Sequence, residues 1–342
     1  MTKAVKLADI AERVGVSTVT VSKALSGQKG VSEEMREKIK KLAEELGYRS
    51  PSAVRGEVGK PRSYHIGVLV EEGYLDQYES FYWKLYQQVS ACALERECFA
   101  VLEVVSGRME EELELPKVVR EKKVHGLIVI GRMAEEYRKL LKENKSLPVV
   151  YIDFSDDDPE TDAVISDNYY GACRLVNYLI EQGHTRIAYV GTLLASGSIT
   201  DRYFGYAKAL LEHGLPLRED WRLNDRQASS VFIREELMQL PEEMPTAFFC
   251  NCDLTAGKLI RKLQQEGYRV PEDISVVGFD NYIYPGICDV GITTYEVNQA
   301  EMAAQAVKTL IRRLEGETAG HRTHIVEGRV VVKESVRGRK IS

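Results

Sequence analysis

Residues 5–27 read Val5-Lys6-Leu7-Ala8-Asp9-Ile10-Ala11-Glu12-Arg13-Val14-Gly15-Val16-Ser17-Thr18-Val19-Thr20-Val21-Ser22-Lys23-Ala24-Leu25-Ser26-Gly27. Leu7, Ile10, Ala11 and Val14 recur at i, i+3, i+4 and i+7, one apolar stripe of a helix. Gly15 then supplies the left-handed backbone that stops it. Ser17 is a good N-cap for a second short helix, its hydroxyl free to take the orphan amide near Thr20. That helix runs to about Leu25, with Val21, Ala24 and Leu25 inward and Thr18, Val19, Ser22 and Lys23 outward. Farther along, Ser32 caps a third helix with Glu33 and Glu34 in its first turn and an apolar face of Met35, Ile39, Leu42, Ala43 and Leu46; Gly47 ends it. Two short helices joined by a tight turn and buttressed by a third form a helix-turn-helix. The outward face of the second is small and polar, so it fits a major groove. Lys23 can donate to guanine O6 and N7, and Thr18 and Val19 can place methyl groups near thymine. On spacing alone, a three-helix bundle without a nucleic-acid role stays open.

Charge divides the chain in the same place. Residues 1–62 carry a net +5, whereas the whole chain of 342 residues carries −6, leaving −11 on the remainder. A small basic head on a large acidic body suits a polyanion-binding module joined to a separate domain. With 44% apolar residues and 29% charged, the composition excludes a disordered, collagen-like or disulfide-stapled protein. No apolar run is long enough to span a membrane, and the N-terminus lacks the apolar core of a secretory signal. Six cysteines fall at 92, 98, 173, 250, 252 and 288 without a zinc-type spacing, so a reducing cytoplasm is the expected location.

Between Ser50 and Ser63 no apolar period persists, and Pro51, Gly56, Gly59 and Pro61 mark a linker. From residue 65 onward, short apolar runs alternate with amphipathic stretches. The runs are Ile66–Val70, Ala100–Val105, Gly126–Ile130, Val149–Ile152, Ile187–Val190, Ala247–Cys250 and Ile274–Phe279, with helices expected near 81–96, 170–182 and 298–314. Such alternation means parallel sheets covered by helices. About 280 residues exceed one such sheet, so two α/β lobes are expected. The divisions are therefore a head at 1–49, a linker at 50–63 and a two-lobed body at 64–342. Ligands of open α/β sheets sit at the C-terminal ends of strands. That rule selects Asp153, Asn251, Asp253 and Asp280, just past three of the runs, with Arg202 as a donor to ligand hydroxyls. Asp253 capping a helix is the plainer alternative.

The head, with Val31-Ser32 and Leu46-Gly47-Tyr48, resembles the LacI/GalR family of bacterial transcription regulators. The likeness extends through the body: Asp167-Asn168, Gly183-His184, Arg202 with Gly205-Tyr206, Asp253 with Ala256-Gly257, Gly278-Phe279-Asp280 and Ile292-Thr293-Thr294 fit the family's effector domain. The resemblance implies a two-lobed fold like the periplasmic sugar-binding proteins, with three strands crossing between lobes and a ligand in the cleft. One lobe is then about 64–165 plus 296–325. In the head it implies base reading by Thr18, Val19 and Lys23, phosphate contacts from Ser17, Thr20 and Ser22, and DNA contacts from Lys6 and Arg55. Lys23 departs from the arginine usual there, exchanging a bidentate fork for a point charge. Relatives drive a leucine wedge from the linker into the minor groove; here the candidates are Glu57 or Val58, which favours Val58 or no wedge.

In the cleft the resemblance adds Phe81 and Tyr82 at paired-aromatic positions, where a ring can stack on a sugar, together with Ser198. Arg226 falls near a position where relatives place an aromatic over the ligand. Paired with Arg202 it suggests a two-arginine clamp for an anionic effector, against the alternative of a surface arginine in a loop. Tyr74, Tyr78, Tyr82 and Tyr86 lie at helix-like spacing, as cleft lining, dimer contact or plain packing. His321 and His324 show no acidic partner in sequence, and no nucleophile set, phosphate loop or dinucleotide motif appears. The expectation is a cytoplasmic repressor, not an enzyme, without cofactor or metal. It works as a homodimer on a palindromic operator, answering to a small sugar or sugar derivative. Two rivals are a same-fold regulator answering to a corepressor or partner protein, and a carbohydrate-processing enzyme with a DNA-binding head.

Overall fold

The computed structural model describes residues 7–25, 31–45, 63–75, 80–143, 147–155, 158, 160–228, 230–282 and 286–339. The chain divides into two compact units, Met1–Arg62 and Ser63–Ser342.

The smaller unit holds α1 (Leu7–Val14), α2 (Thr18–Leu25) and α3 (Glu33–Glu45). Gly15, at φ +74°, turns the chain between the first two, and its amide and that of Val16 both return to the Ala11 carbonyl. Ile10, Ala11, Val21, Ala24, Ile39 and Ala43 form the core. The Ser32 hydroxyl accepts the Met35 amide at 3.4 Å and so opens α3.

The larger unit starts with β1 (His65–Glu71), then α4 (Phe81–Leu94) and β2 (Phe99–Val105). Ser80 caps α4, so the tyrosines at 74 and 82 do not share one helix. Two short helical turns follow, α5 (Gly107–Glu111) and α6 (Lys117–Arg120), then β3 (Gly126–Ile130), α7 (Glu135–Glu143), β4 (Val149–Ile152) and β5 (Asp162–Ser166). These strands and β11 (Thr323–Val326) make a six-stranded parallel sheet in the order β11-β5-β4-β3-β1-β2. Ile66, Val68 and Val70 pack on one face, Leu69 on the other, so β1 is apolar on both sides as a covered parallel strand requires.

The second lobe contains α8 (Asn168–Glu181), β6 (Ile187–Val190), α9 (Gly197–Glu212), β7 (Arg222–Leu223), β8 (Ala247–Cys250), α10 (Asp253–Gln265) and β9 (Ser275–Val277). Its sheet is parallel, in the order β7-β6-β8-β9. Next, β10 (Thr294–Glu296) leads to α11 (Gln299–Leu314), which lies on the first lobe, and β12 (Arg329–Val331) pairs antiparallel with β10. Among the described residues the chain therefore crosses between lobes at three places, after β5, at β10 and at β12. All seven apolar runs are strands; β5, β7, β10, β11 and β12 are additional.

One of these additions has an electrostatic cause. Asp162, buried at the start of β5, accepts from Arg313 Nε and Nη2 (2.6 and 3.0 Å) and from the Arg322 amide (3.1 Å). His321 Nδ1 stands 3.0 Å from the same carboxylate, which supplies the acidic partner that sequence proximity did not reveal. Burial works against the charged carboxyl, but these partners hold it below the ordinary carboxylate range.

Candidate functional site

In the head, α2 turns Val21 and Ala24 inward and leaves Thr18, Val19, Ser22 and Lys23 exposed, Val19 at 61%. Ser17 accepts the Thr20 amide at 3.1 Å and shares a 2.9 Å bond with its hydroxyl, so both side chains are tied into the cap. Lys6, Arg55, Glu57 and Val58 lie outside the described residues, as does nearly all of the linker.

In the body, the C-terminal ends of both parallel sheets face each other across a cavity of about 290 Å³. That is the lower end of the range for small-molecule clefts. Eight of the nine effector candidates line it: Phe81, Tyr82, Asp153, Ser198, Arg202, Arg226, Asn251 and Asp280. Asp253 does not. Cys252 caps α10, which turns the Asp253 carboxylate back against Gly278, where it accepts the Tyr282 amide at 2.9 Å. The helix-capping region, not the cleft, therefore accounts for this residue.

Asp153 follows β4 in one lobe and Asp280 follows β9 in the other. Both are non-glycine residues at positive φ, +59° and +106°, a cost of about 1–3 kcal/mol where such strain is held at a site. Tyr82 donates its hydroxyl to Asp153 Oδ2 at 2.9 Å. Burial raises the Asp153 carboxyl, opposed by Arg202 and by that bond. It pushes Asp280 up to about 7, with Arg202 opposing and the Asp153 charge reinforcing.

Arg202 is buried along α9. It donates Nε to Asn168 Oδ1 (2.9 Å) and Nη1 to the Asn251 carbonyl (2.5 Å), places Nη2 3.4 Å from Asp280, and lays its guanidinium 3.8 Å over Phe279. Arg226 is paired with its own neighbour. Its Nη2 donates to Asp225 Oδ2 at 2.8 Å and its Nε lies 3.2 Å from both oxygens. Asp225 is fully buried and also accepts from the Thr192 amide, Asn251 Nδ2 and the Thr255 hydroxyl. Burial alone would raise its carboxyl, yet Arg226 and these donors hold it low. Each arginine of the expected clamp thus has a carboxylate of the protein beside it.

The apolar wall is Phe81 with Tyr82 and Tyr74, whose ring centroids stand 4.3 Å apart. Burial pushes the Tyr74 phenol up to about 12. Across the mouth, Arg132 of the first lobe donates Nη1 to the Leu194 and Ala195 carbonyls of the second (3.3 and 3.0 Å). Its own amide donates to the Tyr74 hydroxyl at 3.3 Å. Loop residues 230–233 close another side, held by Lys258 Nζ donating to the Ile233 carbonyl at 3.0 Å. Sequence reading did not find Asp225, Lys258, Ser196 or Arg132 as site residues. Only the Asp225-Arg226 dipeptide carried a signal, and the two-residue strand before it is too short to register as an apolar run. Among the described residues no cluster of His, Cys, Asp and Glu is arranged to hold a metal ion, and no helix is long and apolar enough to cross a membrane.

Comparison with known proteins identifies both units. Residues 6–51 match the family described as bacterial regulatory proteins, lacI family, and residues 176–336 match the periplasmic binding protein-like domain. The HTH-type transcriptional repressor PurR of Aliivibrio salmonicida is 30% identical over 330 residues, covering 96% of this chain and 98% of that protein. The repressor of the same name from Vibrio campbellii is 28% identical over 331 residues, with the same coverage. Among solved structures, the transcriptional regulator CelR in complex with cellobiose superposes with a TM-score of 0.69 at 25% identity, covering 97% of this chain and 99% of that one. The lac repressor dimer bound to operator and the anti-inducer ONPF gives 0.66 at 23% identity, covering 98% and 100%. The chain belongs to the lacI family of bacterial regulatory proteins and is a DNA-binding transcriptional repressor of that family.

Proposed function

We propose that this repressor holds a palindromic operator as a homodimer in the cytoplasm, and that a small carbohydrate-type effector in the cleft of the body changes that hold. The head at 1–49, linker at 50–63 and body at 64–342 divide the work. Thr18, Val19 and Lys23 read bases; Lys6, Ser17, Thr20, Ser22 and Arg55 serve the phosphate backbone. The observation that carries the effector reading is one cavity with an aromatic wall and a ring of Asp153, Arg202, Asn251 and Asp280 contributed by two lobes. Aromatic faces and hydrogen-bonding groups together suit a sugar's apolar and hydroxylated sides. The cellobiose complex of the similar regulator supports the same class.

A ligand touching Asp153 in one lobe and Arg202 and Asp280 in the other favours the closed arrangement. It acts only through its differential affinity for the two arrangements. For the homodimer, the support is the edge strand β2 and the end of α4, whose Phe99, Val101, Val104 and Leu94 are exposed and apolar. Fluorescence anisotropy on promoter fragments, with and without a panel of sugars, tests the reading. Lys23→Ala should weaken operator binding and relax base preference, by roughly 1–3 kcal/mol at one base pair. Arg202→Ala should leave operator binding intact and lose the response to sugar. Operator affinity unchanged across the whole panel would overturn the effector assignment.

A further inference from the structure

We infer that Arg36 is a positioning residue for base reading: it fastens the last turn of α2 and thereby sets where Lys23 meets its base pair. This rests on the base-reading assignment of Lys23 above and deepens it. α2 is only eight residues long, too short to hold its shape alone in water. Its fully buried anchors are Val21 and Ala24. The first turn is tied at Ser17, whose hydroxyl accepts the Thr20 amide and whose carbonyl accepts the Val21 amide, both at 3.1 Å. The last turn has carbonyls without partners inside the helix, as at the end of any α-helix. One of these, the carbonyl of Ala24, accepts from Arg36 Nη1 of α3 at 3.3 Å. The guanidinium arrives where the negative end of the helix dipole lies, so charge and hydrogen bond act together.

The Arg36 side chain is itself only 12% exposed. Glu33 Oε2 stands 3.7 Å from its Nε, but that carboxylate is 83% exposed, a screened partner that does not draw the guanidinium away from α2. Lys23 immediately precedes Ala24, and its side chain is exposed on the outer face of the same turn. A swing of that turn therefore carries the lysine with it. Ser17 and Thr20 stay where they are, because the cap at the other end of the helix holds them independently. Phosphate contacts fix the register on the duplex, whereas base contacts supply the sequence preference. Loss of Arg36 should accordingly separate the two, lowering discrimination while sequence-independent binding persists.

The test is fluorescence anisotropy on the full chain at one fixed salt concentration, comparing a promoter fragment that the wild-type chain retains with a scrambled fragment of the same length. Arg36→Met keeps the apolar stem and removes the donors. It should cut the ratio of the two affinities by about tenfold and leave the scrambled fragment within about twofold. Across single base-pair changes, the position relaxed by Lys23→Ala should relax in Arg36→Met as well. Adding Lys23→Ala to Arg36→Met should then cost no more than about twofold further, since the contact is already lost. Arg36→Lys, which keeps a cation for a single carbonyl, should recover most of the ratio. Should Arg36→Met cost the head its fold, read as equal loss on both fragments, Arg36→Gln takes its place. A neutral amide weakens the bond without emptying the site, and the same shift in the ratio is expected. An unchanged ratio in the folded variant, or fully additive losses with Lys23→Ala, overturns the inference and leaves base reading by Lys23 standing. Base preference untouched by Lys23→Ala itself instead removes the base-reading assignment, and this inference with it.

Discussion

Asp280 shows how one residue joins strain, burial and ligand chemistry. Its folded-state carboxyl titrates near 7, because burial outweighs the opposing Arg202 charge. The value lies above that of the unfolded chain, so the proton it retains favours the native state fully at low pH. That contribution is lost as pH rises through about 7. An effector hydroxyl donating to the carboxylate would compete with the same proton. Effector affinity should therefore rise between pH 6 and 8, and Asp280→Asn should flatten the profile; calorimetry across that interval checks it. Most of the cavity lining was legible in the sequence, because residues past the strand ends of parallel sheets are brought together there. Asp253 misled for the same reason: it follows a strand directly, but the helix starting there turns its carboxylate away. The pairing of Arg226 with Asp225 was not read, since a charge alone does not say which neighbour holds it.

At the scale of elements, strand and helix alternation was plain wherever a strand is covered on both faces. It failed at β5, whose first residue is the buried Asp162, and at strands of two to four residues near the crossings. A carboxylate inside a sheet is permitted by Arg313 and His321, which lie about 150 residues away in sequence and carry no local trace. Helix contacts show a second hidden constraint. Where α8 and α9 cross, a Cβ on Gly205 would stand 2.1 Å from the Tyr169 carbonyl oxygen and 2.9 Å from the Ala172 methyl. The obstacle is backbone and cannot rotate aside. Gly205→Ala should force the helices apart and lower stability by about 1–3 kcal/mol, measured by urea denaturation. Because Arg202 rides on α9, effector affinity should fall with it, although position 205 does not line the cleft.

On the scale of the whole molecule, the basic head and acidic body divide two kinds of recognition between two folding units. In the body, the residues that line the cavity come from both lobes. The Arg132 side chain is a direct tie between those lobes. Arg132→Ala should weaken effector binding by about tenfold through faster dissociation, as loss of a charge-assisted hydrogen bond implies. Stopped-flow release of the effector checks it, with operator affinity in its absence unchanged.

Both acceptors of that tie are main-chain carbonyls. Replacing Leu194 or Ala195 changes a side chain but leaves the oxygen that Arg132 grips. The strength of the clasp can thus be adjusted by mutation from one side alone, and drift in the facing loop is silent. A lineage that needed a more or less sensitive switch would find its tuning screw at position 132.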